Sequence, residues 1–291
     1  MKTKAYLCII AGAALWGLIG LFVGILSEQG FTPMQIVALR SLSSAVCITF
    51  VLLKLGAGAF RIRLRDLWMF IGTGVLSLTF FNYCYFNCMQ EGSLAVAALL
   101  LYTAPIFVML MSLLLFGERF TAAKGAALAA TFLGCACVTG VFSSELTITF
   151  KGLLYGLGSG FGYALYSIFG KFALRRYSSP TITAYTFYCS AAASVPLAGF
   201  AANFQPAMLN AATLGGTLGI GLLCAVIPYI LYTRGLQYVE AGQASILATI
   251  EPFVAALVGV MFFGEPLTLP KICGMALIFS SIVILNCRSD K

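Results

Sequence analysis

The sequence predicts an all-α membrane protein: ten transmembrane helices arranged as two inverted five-helix repeats. Three observations predict it. Of 291 residues, 61% are hydrophobic and 9% charged, with a mean hydropathy of +1.00; soluble domains carry about 25% charged residues, so lipid must be part of the solvent. The charges sit in short connectors between apolar runs. Residues of the second half match the first at a constant offset of 147.

A spanning helix needs about 20 apolar residues to cross ~30 Å of hydrocarbon. That rule yields ten spans, at 5–26, 34–53, 67–87, 93–116, 120–142, 152–173, 181–201, 213–234, 242–263 and 268–287. The first follows Met1-Lys2-Thr3-Lys4, like a signal peptide, but its apolar run is too long for one and another span follows directly. Pro33 and Pro180 precede the second and seventh spans, and Gly117 and Gly264 close the fourth and ninth. No linker is long enough to hold a soluble domain.

The net charge of +8 reads as a topology signal rather than a nucleic-acid surface. With the N-terminus inside, Lys2, Lys4, Lys54, Arg61, Arg63, Arg65, Arg119, Lys124, Lys171, Arg175, Arg176, Arg234, Arg288 and Lys291 fall on the cytoplasmic side, and only Lys151 and Lys271 opposite. The positive-inside rule therefore places both termini in the cytoplasm. The cysteines lie within apolar runs as small hydrophobes, no CxxC pair occurs and the chain has no histidine. No metal, cofactor or disulfide framework is expected.

The repeat is ungapped. Trp16 falls on Tyr163, Pro33 on Pro180, Gly72 on Gly219, Tyr85 on Tyr232 and Pro105 on Pro252. Phe116-Gly117-Glu118 matches Phe263-Gly264-Glu265, with Thr121/Thr268 and Lys124/Lys271 following in register. From 85/232 to 124/271, eleven of forty pairs are identical. We take the repeats as 1–143 and 148–291. Five spans is an odd number, so the second copy enters from the opposite side; such inverted repeats place a substrate site near the midplane between the halves. A duplicated structural bundle without a pathway is the alternative.

Ala14-Leu15-Trp16-Gly17, Val37-Ala38-Leu39-Arg40, Pro105 with Phe116-Gly117-Glu118, and Glu251-Pro252 with Phe263-Gly264-Glu265 resemble the EamA-type permeases of the drug/metabolite transporter superfamily. The resemblance spans nearly the whole chain. It implies a ten-helix permease of the bacterial inner membrane, often an exporter of amino acids or other small metabolites.

Polar groups inside the spans mark the candidate site. Arg40 lies about 10 Å into the second span at 1.5 Å per residue, where a charge costs ~2.5–3.5 kcal/mol at helix centre and less if it snorkels. It reads as a carboxylate clamp or as a tie to a neighbouring carbonyl. Glu251 is the acid deepest within a span; Pro252 after it lacks an N–H and frees a carbonyl one turn back, so carboxylate and carbonyl together suit an ammonium or a proton. Its mate in the first half is Ala104, so the acid is present once. Tyr102 lies at similar depth, and Trp16 and Tyr163 are symmetry mates near mid-membrane. Asn82, Tyr83, Tyr85 and Asn87 correspond to the region of Tyr229 and Tyr232. The expected substrate-binding set is Trp16, Arg40, Asn82, Tyr83, Tyr102, Tyr163, Tyr229 and Glu251, with no catalytic residue. Gly152, Gly156, Gly158, Gly160 and Gly162, and the Gly20/Gly24 pair, read as close-packing signals. Glu118, Arg119 and Glu265 read as capping and turn residues.

These residues predict a secondary transporter of a small polar metabolite, amino-acid export leading, with a small-molecule substrate, protons as a candidate coupling ion and the bilayer as its other partner. There is no Walker motif for direct ATP drive. Phosphorylated or nucleotide-sugar substrates are a runner-up that would need two or more intramembrane bases where only Arg40 qualifies, and an organic-cation exporter is a further alternative, since Glu251 amid Trp and Tyr suits cation–π binding. A membrane enzyme would need a histidine or paired acids, and a channel would pass single-channel currents.

Overall fold

The structure, a computed structural model, describes residues 2–141, 148–203 and 208–287. The expected repeat ends at 143 and 291, the last residue of the predicted fifth span (142), and Arg288 and Lys291 lie outside the described residues. Among those described, the long helical stretches are α1 (Lys2–Glu28), α2 (Pro33–Leu55), α3 (Leu64–Glu91), α4 (Leu94–Phe116), α5 (Ala122–Val138), α6 (Phe150–Ala173), α7 (Ser179–Leu197), α8 (Ala211–Leu236), α9 (Ala241–Phe263) and α10 (Leu269–Cys287), and no strand occurs. Six of them (α1 to α4, α8 and α9) are long and apolar enough to cross a membrane, while α5 and the apolar part of α10 are shorter.

Helix starts follow side-chain chemistry. Thr32 caps α2 in a reciprocal box: its Oγ1 accepts from Gln35 N at 3.4 Å, and Gln35 Oε1 accepts from Thr32 N at 2.9 Å. Ser93, Thr121, Thr149, Ser178 and Asn210 each accept from the amide three residues on, satisfying donors the helix leaves open. Gly117 and Gly264 end α4 and α9 with φ of 65° and 66°, a left-handed turn that costs glycine least.

Several helices are interrupted, and proline accounts for two breaks. α4 breaks at Tyr102 and Thr103, just before Pro105, and α9 at Ala248 and Thr249, just before Pro252. Each proline lacks the N–H that would serve the carbonyl four residues back. α3 and α8 instead contain π-helical segments, Gly72–Thr79 and Leu222–Val226; moved by 147, the second falls on residues 75–79. α1 is interrupted after Trp16, where Gly17 N and Leu18 N bond to Ala14 O (3.1 Å) and Leu15 O (3.2 Å) in a tight turn. Its mate α6 runs unbroken, so the symmetry fails there.

Packing obeys the repeat. α2 pairs with α7 and α5 with α10, while α1 packs on α8 as α6 packs on α3. The equivalent helices run antiparallel: Thr49 contacts Tyr188 (2.6 Å) where Ser41 contacts Ser190 (2.9 Å), and Thr181 reaches back to Ala59 O (2.9 Å). Thr131–Ser281 (2.9 Å) and the Gly134–Gly274 approach tie α5 to α10 in the same sense. Such interhelical hydrogen bonds contribute about 0.6 kcal/mol each in a bilayer, so close van der Waals packing must do most of the holding.

Small residues supply that packing. Gly152, Gly156 and Gly160 face Glu91, Leu100 and Thr103, while Gly158 and Gly162 face Cys84 and Phe80 on α3. α6 is thus wedged between α3 and α4 by two glycine faces. The expectation for Gly20 is corrected: a Cβ there would meet nothing within 4 Å, because the turn after Trp16 leaves that face outside the bundle. Gly12 and Gly17 carry the contacts of α1 instead, with Cβ positions 2.8 Å from Pro228 O and 2.9 Å from Glu251 O.

Most basic residues gather at one end of the bundle. Lys124 pairs with Glu240, Arg176 with Asp66 (2.8 Å), and Tyr6 of α1 donates to Gln243 (3.2 Å) there. At the other end Lys151 pairs with Glu91 (2.7 Å) and Lys271 with Glu265 (2.7 Å).

Candidate functional site

A cavity of about 150 Å³ lies where the interruptions of α1, α4 and α9 meet α2, α3, α6 and α8. Trp16, Arg40, Asn82, Tyr102, Tyr163, Tyr229 and Glu251 line it, together with Tyr85 and an apolar wall of Ile19, Phe81, Phe86, Ala98 and Leu101. Seven of the eight residues expected from sequence are therefore brought together. Tyr83 is set apart: it is 43% exposed and packs edge-on against Tyr155 at 6.3 Å. Successive helix residues point about 100° apart, so with Asn82 facing inward its neighbour faces out. Asn87 is likewise outside, donating to Tyr83 O at 2.8 Å.

Arg40 reaches the cavity and is held by α8. Its Nη2 donates to Cys224 O at 3.1 Å. That carbonyl is available because Pro228, four residues on, has no N–H to offer it. The guanidinium carbon stands 5.8 Å from the Tyr229 ring centre, within cation–π range. Arg40 is 8% exposed, yet its Nε has no hydrogen-bond partner among the described residues. Arg40 thus ties α2 to α8, as its structural reading expected, and keeps an N–H without a described partner beside the cavity.

Glu251 stands in the first turn of the helix that resumes after the break in α9. Its Oε2 accepts from Tyr163 Oη at 3.0 Å, leaving the rest of the carboxylate uncommitted. The expectation of a freed carbonyl beside it is corrected. The carbonyl released by Pro252 belongs to Ala248 and is taken by the Glu251 amide at 3.1 Å, in a tightened turn. Arg40 and Glu251 face one cavity without forming an ion pair.

Aromatic rings close the cavity toward the basic end. Trp16 packs on Tyr229, Tyr232 and Tyr163 with ring centres 5.0, 5.3 and 6.3 Å away. Beyond them Tyr166 bonds to Thr233 (2.6 Å) and Ser167 to Tyr232 (2.7 Å), leaving a gap of only about 10 Å³. Farther on, Glu118 accepts from the first amides of α9, Ala241 N at 2.7 Å and Gly242 N at 3.1 Å. Lys171 lies 3.9 Å from Glu118 and donates to Val239 O at 2.5 Å. Glu118 is thus a cap, as read from sequence, but of the other repeat's helix. Its mate Glu265 pairs instead with Lys271 of its own half. Ile19, Phe86 and Ala98 extend the cavity toward that end.

The apolar wall was not legible as site-forming, because a Phe or Leu in a membrane helix looks the same facing lipid or cavity. Phe81 and Tyr85 do sit one turn apart on the Asn82 side of α3, and that spacing is the available signal.

Among the described residues the architecture is an all-helical bundle of apolar helices around a cavity with polar groups in its wall, that of a multi-pass membrane protein. The EamA-like transporter family model matches twice, over residues 3–140 and 150–287. The chain belongs to that family. An uncharacterized transporter of Archaeoglobus fulgidus is 34% identical over 217 residues, 72% of this chain and 75% of the relative. The uncharacterized transporter YwfM of Bacillus subtilis is 25% identical over 100% of this chain and 97% of its own. The uncharacterized inner membrane transporter YicL of Salmonella typhimurium is 23% identical over 99% and 97%. A solved crystal structure aligns with a TM-score of 0.85 at 18% identity, covering 100% of this chain and 99% of that one, a likeness of fold.

Proposed function

We propose that this chain is a secondary exporter of amino acids or similar small zwitterionic metabolites across the bacterial inner membrane. It works by alternating access, with ten spans, two inverted repeats (1–143 and 148–291) and both termini cytoplasmic. One observation carries the substrate class: a base and an acid, Arg40 and Glu251, line the same 150 Å³ chamber without pairing. A zwitterion supplies the missing counter-charges. Arg40 receives the carboxylate through its spare N–H, and Glu251 with Tyr163 receives the ammonium. Trp16, Asn82, Tyr102 and Tyr229 shape the walls, and Tyr83 drops out of the binding set. Glu251 is also where a proton would exchange for the substrate, so proton antiport is the coupling we favour. No catalytic residue, cofactor or metal enters this reading.

The layered rings and the Glu118 cap support an assignment of this conformation as closed on the cytoplasmic side. Export begins when that side opens and Glu265, freed from Lys271, takes the equivalent place on the first amides of α4, at Leu94 and Ala95.

The test is uptake and counterflow by purified protein in liposomes across a panel of amino acids, amines and carboxylates. We expect both Arg40→Gln and Glu251→Gln to lower zwitterion transport about 10- to 100-fold, the scale of one lost hydrogen bond to a charged group. An organic-cation exporter would instead lose transport only in Glu251→Gln and keep it in Arg40→Gln. Unchanged rates in both variants would overturn the assignment.

A further inference from the structure

At the basic end, on the outer surface of the bundle, α1 and α8 enclose a second cleft of about 450 Å³, lined by Lys4, Ala5, Leu7, Cys8, Arg234 and Tyr238. The helices touch backbone to backbone at its base, where a Cβ on Gly235 would sit 2.7 Å from Ala5 O. Above that contact the side chains splay apart. Leu7 is 61% and Tyr238 51% exposed, and Ala11, one turn beyond Leu7, is exposed as well.

Two cations stand over this apolar floor. Lys4 and Arg234 are both exposed and neither makes an ion pair or hydrogen bond with the described residues. The described acids of that end are already engaged: Asp66 with Arg176 and Tyr177, Glu118 with the α9 amides and Lys171, Glu240 with Lys124. Among the described residues no acid lines the cleft. A pair of positive charges with no described counter-charge, over an apolar groove beside the start of the first apolar helix, is complementary to one kind of molecule.

We infer that this cleft is a binding site for an anionic phospholipid. The phosphodiester lies between Lys4 Nζ and the Arg234 guanidinium, whose planar fork matches two phosphate oxygens, with the Tyr238 hydroxyl as a further donor. One acyl chain runs down over Leu7, Cys8 and Ala11. Basic pockets between membrane helices recognise anionic headgroups in this way. A soluble phosphate would gain the charges but not the floor, and a phosphatidylcholine would gain the floor but carry its own cation. The site is separate from the transport chamber and does not depend on its substrate.

Native mass spectrometry of the detergent-solubilised protein, titrated with phosphatidylglycerol or with phosphatidylcholine of the same chain length, tests this. The wild type should retain phosphatidylglycerol preferentially. Lys4→Gln/Arg234→Gln should reduce that preference about ten-fold or more, each basic residue contributing roughly five-fold to anionic-lipid affinity. Lys54→Gln/Arg61→Gln, which removes two cations of the same end outside the cleft, should leave it unchanged. Equal retention of both lipids by the wild type, equal loss in the two double variants, or displacement of the lipid by millimolar inorganic phosphate would overturn the inference. Both substituted side chains are exposed and without a partner among the described residues, so the folded state survives, and an unchanged melting temperature verifies it.

Discussion

Single residues in this chain act through what they deny their neighbours. Pro228 withholds an N–H from Cys224 O, and Arg40 fills the gap from another helix. Pro252 does the same to Ala248, and there the chain heals itself through the Glu251 amide. Gly17 works by absence too: the missing Cβ lets the turn in α1 rest on Val254 and the Glu251 carbonyl, 2.6 and 2.9 Å from where that carbon would be. Gly17→Ala is therefore expected to destabilise the protein by about 1–3 kcal/mol, the cost of overpacking. Gly20→Ala, facing open space, should be neutral or stabilising by about 0.5–1 kcal/mol, the relief of a helical glycine. Denaturation of the two variants in the same detergent checks the pair. The polar site residues were readable as types from the sequence: an arginine, a glutamate and mid-span aromatics are costly in hydrocarbon and so point to a chamber. Whether Arg40 and Glu251 would neutralise each other was not readable, because it depends on side-chain reach across two helices. The place of Tyr83 needed the helix phase, which a run such as Asn82-Tyr83 does not fix by itself.

At the scale of helices, interruptions and ends matter more than the apolar bodies. α9 begins with its first amides in the grip of Glu118, a charge-assisted contact that also favours the positive end of the helix dipole. Removing the charge should loosen the seal at the basic end. With a cysteine in place of Ser167 as reporter, Glu118→Gln should raise its labelling from the basic side several-fold, whereas Glu265→Gln should not. Equal labelling in both would show that the rings alone hold that side shut. Caps at Thr32, Thr121 and Ser178 follow local chemistry, and the prolines and terminal glycines that bound the spans were visible in the sequence. The π segments were not: their extra residue is selected by packing against α6, α7 and α2, where Gly72, Gly74 and Gly221 meet Phe169, Thr186 and Ser43. The break in α1 was equally hidden, since no proline marks it.

For the whole molecule, the duplication was the most legible feature, because a shared offset survives wherever the apolar alphabet allows little else. Twofold pairing of α2 with α7 and of α5 with α10 follows from it. The departures from symmetry carry the chemistry: one acid at Glu251 facing Ala104, and one broken helix in α1 facing an unbroken α6. The orientation drawn from charge also belongs to this scale. Single cysteines at Lys2 and Arg234 should react with an impermeant reagent only from the cytoplasmic side, and one at Lys151 only from the opposite side. Labelling of Lys2 and Lys151 from the same side would reject the inverted arrangement.

The π segments bear on how this bundle tolerates change. Each stores one residue more than an ordinary helix of that length would hold. Losing a single codon between Gly72 and Thr79 would let α3 relax to regular winding, and because the π segment turns about as far as an α segment one residue shorter, everything beyond would keep its facing. Asn82 and Tyr85 would then stay at the chamber and Tyr83 outside it. In α8 the same loss within Leu222–Val226 would leave Tyr229 and Tyr232 against Trp16. The π segments are thus the places where the bundle can shed a residue without re-lining its chamber.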